Sequence, residues 1–528
     1  MSAAADKAGS IVVRRTWDVA DVSGMSEKQK TFAFLVMALG MFVALLDIQI
    51  VASSVAEVQA GLAATSDEIS KVQTWYLVAE VIIIPLAGWL SRIVSTRWLF
   101  TASAAGFTAA SAACAFAWNI DSMIVFRALQ GFFGGAMIPT TFATGFVMFP
   151  KEKQARFTAI LGLVGTCAPA LGPTIGGYIT TAFGWRWLFF INLFPGVFIV
   201  VLAARLIKID KPNLHLLKYF DLPGVLMLAT ALGCLQYVLD EGPRRSWFED
   251  GTMLALSILS ITAGIAFIWR SLHYREPIVD LRAFQSRNFS LGCIMSMATG
   301  VGLYGMVYLS SLFLSLVRGW DSLLVGKTVF LFGLSQLFAA PVISALSRKV
   351  DARHLLIFGY LCQASGTWML CGVTSQWGFA ELLISQILRG VGAISCLIVS
   401  TTVALGNLKP EQLKSASGLF NLMRNLGGAI GLAVLTTLLF NNRFELHYDQ
   451  MVSVLNERRF DTKWDDLILT QIARGSDRDT AFLQMRELLS RTVAREALVQ
   501  SFADMFLLVG FCFFGSMLLV LLVKKIER

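Results

Sequence analysis

The stretch Leu39–Val55, "LGMFVALLDIQIVASSV", is apolar almost throughout, yet Asp47 sits in its middle. With its flanks it forms an apolar block over 31–54. That is long enough for a helix to cross a hydrocarbon core about 30 Å thick. A carboxylate at such a depth costs about 2.5–3.5 kcal/mol on insertion scales. It is kept where it faces the protein interior or a wet cavity. Asp47 is therefore a candidate proton-binding switch, expected to border an aqueous vestibule.

Blocks of the same kind recur along all 528 residues, at 70–91, 98–118, 122–148, 156–181, 186–206, 222–240, 251–270, 289–315, 322–346, 354–374, 379–406, 415–440 and 502–523. Charged residues make up 15% of the chain, against about 25% in soluble domains. The expected fold is an all-α polytopic membrane protein with fourteen transmembrane helices.

Lys and Arg set the orientation. One set of connections holds Arg92, Arg97, Lys151, Lys153, Arg156, Arg205, Lys208, Arg270, Arg275, Arg348, Lys349, Lys409 and Lys414, and both ends of the chain join it with Lys28, Lys30, Lys524 and Lys525. The opposite short connections hold far fewer, among them Lys71, Arg186 and Arg318. Both termini are expected to be cytoplasmic. This asymmetry explains the net charge of +9 without nucleic acid. Residues 1–30 lack the apolar core and cleavage site of a signal peptide. The eight cysteines all fall inside apolar blocks and the four histidines are scattered, so neither a disulfide framework nor a metal site is expected. No cofactor is expected either.

The two ends of the chain echo each other. "FRALQGFFGGAMIP" from Phe126 resembles "SQILRGVGAISCLI" from Ser385, and "GWLSRIVSTRWLF" from Gly88 resembles "SALSRKVDARHLLIF" from Ser344. The spacing reads as six spans, two extra, then six. The expected organisation is a cytoplasmic segment 1–30, a first bundle 31–206, a linker with two extra spans 207–287, a second bundle 288–523 that includes an outer loop 441–501, and a tail 524–528. Repeated halves with a site between them are how many secondary transporters alternate access. In the outer loop, Phe482, Met485 and Leu489 fall on one helical stripe that runs into the last span. It reads as a solvated cap or as a docking surface.

Further polar groups interrupt the apolar blocks. Gln73, Tyr76 and Glu80 align on one face of the second span. Arg127 is the cation available to the acids, since an unpaired buried guanidinium is costly. Asp47, Glu80 and Arg127 are proposed as a proton-coupling triad with the pairing open. Tyr76, Gln49, Tyr304, Tyr308, Gln336, Asn421 and Arg424 are candidates to line a substrate cavity. In "APALGPTIGG", Pro173 stands among Gly172, Gly176 and Gly177, which marks a bend at a helix crossing.

With these residues in view, nearly the whole chain resembles the fourteen-span drug:proton antiporters of the major facilitator superfamily, most nearly the EmrB type. "LDIQIVASSVA" matches that family's first-span motif at Leu46 and Asp47. Arg127, Gln130 and Gly131 meet its R-x-x-Q-G motif, and Gly172, Pro173, Gly176 and Gly177 its antiporter motif. In its loop motif Gly88, Leu90 and Arg97 remain as gating residues, but the acidic position is Arg92. The resemblance implies a major facilitator fold in a bacterial inner membrane, proton-driven export of amphipathic or hydrophobic small-molecule drugs, and the company of an EmrA-like periplasmic adaptor and an outer-membrane channel. The rival reading is a dedicated exporter of one metabolite, fatty acid or siderophore. An enzyme is not indicated: no Ser/His nucleophile pair and no phosphate-binding glycine loop occur.

Overall fold

The computed structural model describes residues 25–52, 54–150, 153–274, 277–406, 408–457, 469, 471–473 and 477–524. Most of the N-terminal segment, Lys151, Arg275, Lys525 and part of the outer loop lie outside the described residues.

Each of the fourteen apolar blocks falls on a helix, and the helices are numbered α1 to α14 in that order. They are α1 Glu27–Ala52, α2 Ser66–Val94, α3 Thr96–Ala115, α4 Ile120–Met148, α5 Gln154–Phe183 and α6 Trp187–Leu206. The linker pair is α7 Leu222–Glu241 and α8 Gly251–His273. Then come α9 Arg287–Leu316, α10 Ser322–Leu346, α11 Ala352–Met369, α12 Phe379–Leu405, α13 Pro410–Thr437 and α14 Arg478–Leu519. Thirteen of the described helices are long and apolar enough to cross a membrane. The remaining block is covered by α5, 30 residues long.

The starts of the helices are written in the sequence. Thr65 and Glu68 form a capping box at α2, and Asn119 with Ser122 forms one at α4. Asp221, Asp250, Asp321, Asp351 and Asp477 each cap the helix that follows by accepting from its first free N–H groups. α6 is interrupted: a turn over Trp187–Phe190 precedes the helix Leu193–Leu206, with Asn192 at the junction. α9 passes through a π-helical turn at Val301–Gly305, which contains Tyr304.

In the first bundle α4 packs on α2 and α3, α1 on α5 and α6, and α3 on α6; in the second, α12 packs on α10 and α11, α9 on α13, and α14 on α11. The bundles meet where α5 lies along α10 and where α13 crosses α2 and α4. The linker helices pack on each other, and α7 leans on α2. α8 is outermost, with Ile258, Ile261, Ile265 and Trp269 exposed as lipid-facing apolar groups.

Two helices outrun the expected spans. Beyond α13 a second π turn, Leu438–Arg443, leads into a helix over Phe444–Glu457 that packs on the first half of α14. Along that half the buried positions are Ala481, Met485, Val493 and Ala497, whereas Phe482 is 45% exposed. Of the expected stripe, Met485 is buried and Leu489 half-buried, while Ala481 takes the buried place expected of Phe482.

Candidate functional site

Asp47, Arg127, Gln130 and Asn192 form a closed polar cluster inside the first bundle, each at most 2% exposed. Arg127 Nη1 donates to Asp47 Oδ2 at 2.6 Å and to Gln130 Oε1 at 2.8 Å. Asp47 Oδ1 accepts from Asn192 Nδ2 at 2.6 Å and from Gln130 Nε2 at 3.1 Å. The break in α6 turns Asn192 inward, where it also donates to Ser111 Oγ at 3.0 Å. Arg127 Nη2 donates to Gln73 at 3.3 Å, and the guanidinium lies 4.3 Å from the Tyr76 ring centre. The Tyr76 hydroxyl donates to the Ala44 carbonyl at 3.4 Å.

Both oxygens of Asp47 are thus occupied by donors, one of them cationic. Such a carboxylate is a saturated ion pair, a charge held by geometry. The expectation that it borders a vestibule is corrected here: the side chain is sealed within the first bundle. The close approach of α2 and α4 that seals it depends on Gly131, where a Cβ would stand 2.2 Å from the Tyr76 carbonyl oxygen.

Glu80 does not join that pair. It is 2% exposed and points across the boundary, where Asn425 Nδ2 of α13 donates to its Oε1 at 3.3 Å. The cation acting on it most strongly is Arg424, the neighbour of Asn425, rather than Arg127. Arg424 is 1% exposed and stands 5.7 Å from the Phe142 ring centre, and among the described residues none of its guanidinium nitrogens has an acceptor in hydrogen-bond geometry, with Tyr304 beside it. The expected triad is therefore divided. One acid is spent on Arg127, and the other faces an incompletely satisfied cation on the opposite bundle.

The remaining cavity candidates sort by depth. Asn421 donates to the Ser417 carbonyl at 2.9 Å, and its Oδ1 is unpartnered. Gln336 on α10 is fully buried with both amide atoms unpartnered. Tyr304 is in the fields of Arg424 and Glu80. Tyr308 is not beside it: it is 37% exposed and faces Arg244 and Asp240 at the end of α7. Tyr304 stands within the π turn of α9 and Tyr308 beyond it, and the two side chains face different surroundings. Gln49 is half-buried and lies against α5, where a Cβ on Gly172 would stand 2.3 Å from its Cβ. Pro173 follows within the same helix, and the carbonyls of Gly176 and Gly177 accept from Thr180 and Thr181 at 2.8 Å.

The second half repeats the pattern without an acid. Arg389 is buried and donates to Ser310 at 3.2 Å and Gln386 at 3.3 Å. Of the loop residues, Gly88 meets the backbone of Lys414, Leu90 packs on the first core, Arg92 is half-buried, and Arg97 lies 5.1 Å from the Trp98 ring centre.

Asn192 and Asn425 are not singled out by the sequence reading, whereas Gln73 is, on the polar face of the second span. Asn192 and Asn425 are amides in apolar runs, the same signal that marks Asp47. Buried amides need partners, so they deserve the weight given to charges.

A sequence model described as Major Facilitator Superfamily matches residues 37–432. The chain belongs to the major facilitator superfamily. Among its relatives, the colistin resistance protein EmrB of Acinetobacter baumannii is 35% identical over 93% of this chain and 96% of its own length. The multidrug export protein EmrB of Escherichia coli K12 is 30% identical over 80% of this chain and 82% of its own. The proton:xylose symporter XylE superposes with a TM-score of 0.57 over 95% of this chain and 97% of its own, at 14% identity, and so shows the fold alone. As a major facilitator protein the chain is a multi-pass membrane transporter.

Proposed function

We propose that this transporter is a proton-coupled multidrug efflux antiporter of a bacterial inner membrane, in which Glu80 carries the proton. One observation carries this reading. Glu80 is the acid that touches the opposite bundle, through Asn425 and in the field of Arg424, while both oxygens of Asp47 are committed inside the first bundle.

The mechanism follows from charge. With Glu80 ionised, attraction to Arg424 and the bond from Asn425 hold α2 and α13 together at mid-membrane. A proton arriving from outside neutralises Glu80 and removes that attraction, which favours the other arrangement of the bundles. A proton crossing about 100 mV supplies about 2.3 kcal/mol. The drug binds at Gln336, Asn421 and Arg424, whose polar atoms lack partners among the described residues, with Tyr304 beside Arg424. Drug binding and protonation then compete, so that one moves out as the other moves in. The names of the two relatives, one for colistin resistance and one for multidrug export, support a broad range of exported compounds. By the same likeness we assign the transporter a place in a tripartite system, with an EmrA-like periplasmic adaptor and an outer-membrane channel.

The test is drug-driven proton flux in liposomes. The reading expects several chemically unrelated amphipaths to drive it and to compete with each other. A single compound that drives flux, with no competition from others, would establish the dedicated exporter instead.

A further inference from the structure

The loop motif between α2 and α3 lacks its acid, since Arg92 stands there, yet the two bundles are joined by a carboxylate at that end of the molecule. We infer that Asp210, from the connection after α6, supplies the missing charge and works with Lys414 as the latch that closes the inner side of the transporter. This goes beyond the proposed function, because it concerns the gate whatever the cargo.

The geometry is specific. Lys414 Nζ donates to Asp210 Oδ2 at 2.5 Å, and the two side chains are 19% and 9% exposed. Asp210 also accepts from the Thr96 backbone N–H at 2.9 Å and from its hydroxyl at 2.8 Å. Its carboxylate therefore sits at the N-terminus of α3, where the helix dipole favours an anion. In the second half Asp351 does this locally, accepting from the Arg353 N–H at 3.0 Å. In the first half the local position is Ser95, held at φ +78°, and the carboxylate is brought from 114 residues away.

Each partner is fastened to a different bundle. The connection carrying Asp210 is tied to α2 by the Asn213 N–H on the Ile93 carbonyl at 2.9 Å, and by the Trp89 and Phe220 rings 5.2 Å apart. Lys414 lies in the first turns of α13, a poor place for a cation unless an anion faces it. Around the pair the surfaces are in direct contact. A Cβ on Gly88 would stand 2.5 Å from the Lys414 carbonyl oxygen, and Ser417 donates to the Pro139 carbonyl at 3.1 Å. A small cavity beside the pair is lined by Ser91, Pro139, Thr140, Thr144 and Lys414. Opening the inner side requires α13 to leave α2 and α4, and that separates Asp210 from Lys414. A charge pair at this point is a positioning device for the transport cycle.

The experiment reads the gate directly. Ser91→Cys is introduced, and its labelling by a thiol reagent from the cytoplasmic face of inside-out vesicles is followed at residue 91 by peptide mass spectrometry. Asp210→Asn keeps an acceptor for Thr96 but removes the charge, Lys414→Gln removes the cation, and Asp210→Lys with Lys414→Asp reverses the pair. The latch expects labelling to rise at least threefold in each single variant and to fall back by at least half in the reversed pair. Labelling of Asp210→Asn at the level of the unsubstituted pair would reduce Asp210 to a helix cap and overturn the inference. So would a reversed pair that labels like the single variants. Neither outcome depends on which compound is carried or on Glu80.

Discussion

Glu80 and Asn425 meet across the boundary of the two bundles, Oε1 to Nδ2 at 3.3 Å, midway along α2. A hydrogen bond between bodies that must separate is a contact that transport has to break. The role given to Glu80 rests on it.

Glu80→Gln keeps the size of the side chain and an acceptor for Asn425 but cannot be ionised. Drug-driven proton flux should fall at least tenfold while insertion into the membrane is retained. Flux at the unsubstituted level would remove Glu80 as the carrier. Asn425→Ala should slow transport only a few-fold, since the attraction of Arg424 remains.

The Asp47–Arg127 pair calls for the opposite experiment. Removing one partner of a buried ion pair costs about 3–5 kcal/mol, because the other charge is left uncompensated. Asp47→Asn and Arg127→Met should each lower the melting temperature in detergent, and the double variant should recover a large part of the loss. An Asp47→Asn protein that melts normally yet has lost proton flux would show that this acid, not Glu80, does the carrying.

How much of this was legible beforehand follows from what each residue costs. Asp47, Glu80 and Arg127 stand out because a charge in an apolar run is expensive wherever the helix is placed. Their pairing was not legible. It depends on rotation of α2 about its axis, which turns Tyr76 toward α1 and α4, and Glu80 toward α13 as well. Asp210 and Lys414 read as ordinary loop charges, and only the fold brings together residues 204 apart. The different depths of Tyr304 and Tyr308 were not legible, because nothing in "TGVGLYGMVY" announces a π turn beyond its glycines. The spans themselves were plain, since length and apolarity alone decide them.

The packing of α1 against α5 gives a graded test. A Cβ on Gly172 would stand 2.3 Å from that of Gln49, whereas one on Gly165 would meet nothing nearer than 3.5 Å. Gly172→Val should push the helices apart and cost several kcal/mol, more than the usual 1–3 of overpacking because backbone lies behind Gln49. Gly165→Ala should be nearly neutral. Melting temperature and efflux measured on both variants check the contrast.

At the start of α8, outside the spans, acidity has a defined effect. Asp250 accepts from the Thr252 N–H at 2.7 Å and the Met253 N–H at 3.3 Å, and these bonds hold its carboxyl below the ordinary aspartate range. A lowered value in the folded state means that the stabilisation is present above the ordinary value and lost as pH falls through the lowered one. Hydrogen exchange at Thr252 to Leu254 should quicken only in strong acid, and in Asp250→Ala at every pH. Exchange indifferent to the substitution would mean that the cap does not hold the turn.

The last helix has a mechanical consequence. α14 has 42 residues and is therefore about 63 Å long at about 1.5 Å per residue, roughly twice the thickness of the oily layer it crosses. Its root is seated against α11 in the second bundle, so the rod tilts when that bundle tilts. A small angular change at the root becomes a sweep of several ångströms at the far end, which the helix Phe444–Glu457 packed on it would share. The outer end of α14 is thus expected to move farther than any other part of the second bundle when that bundle tilts.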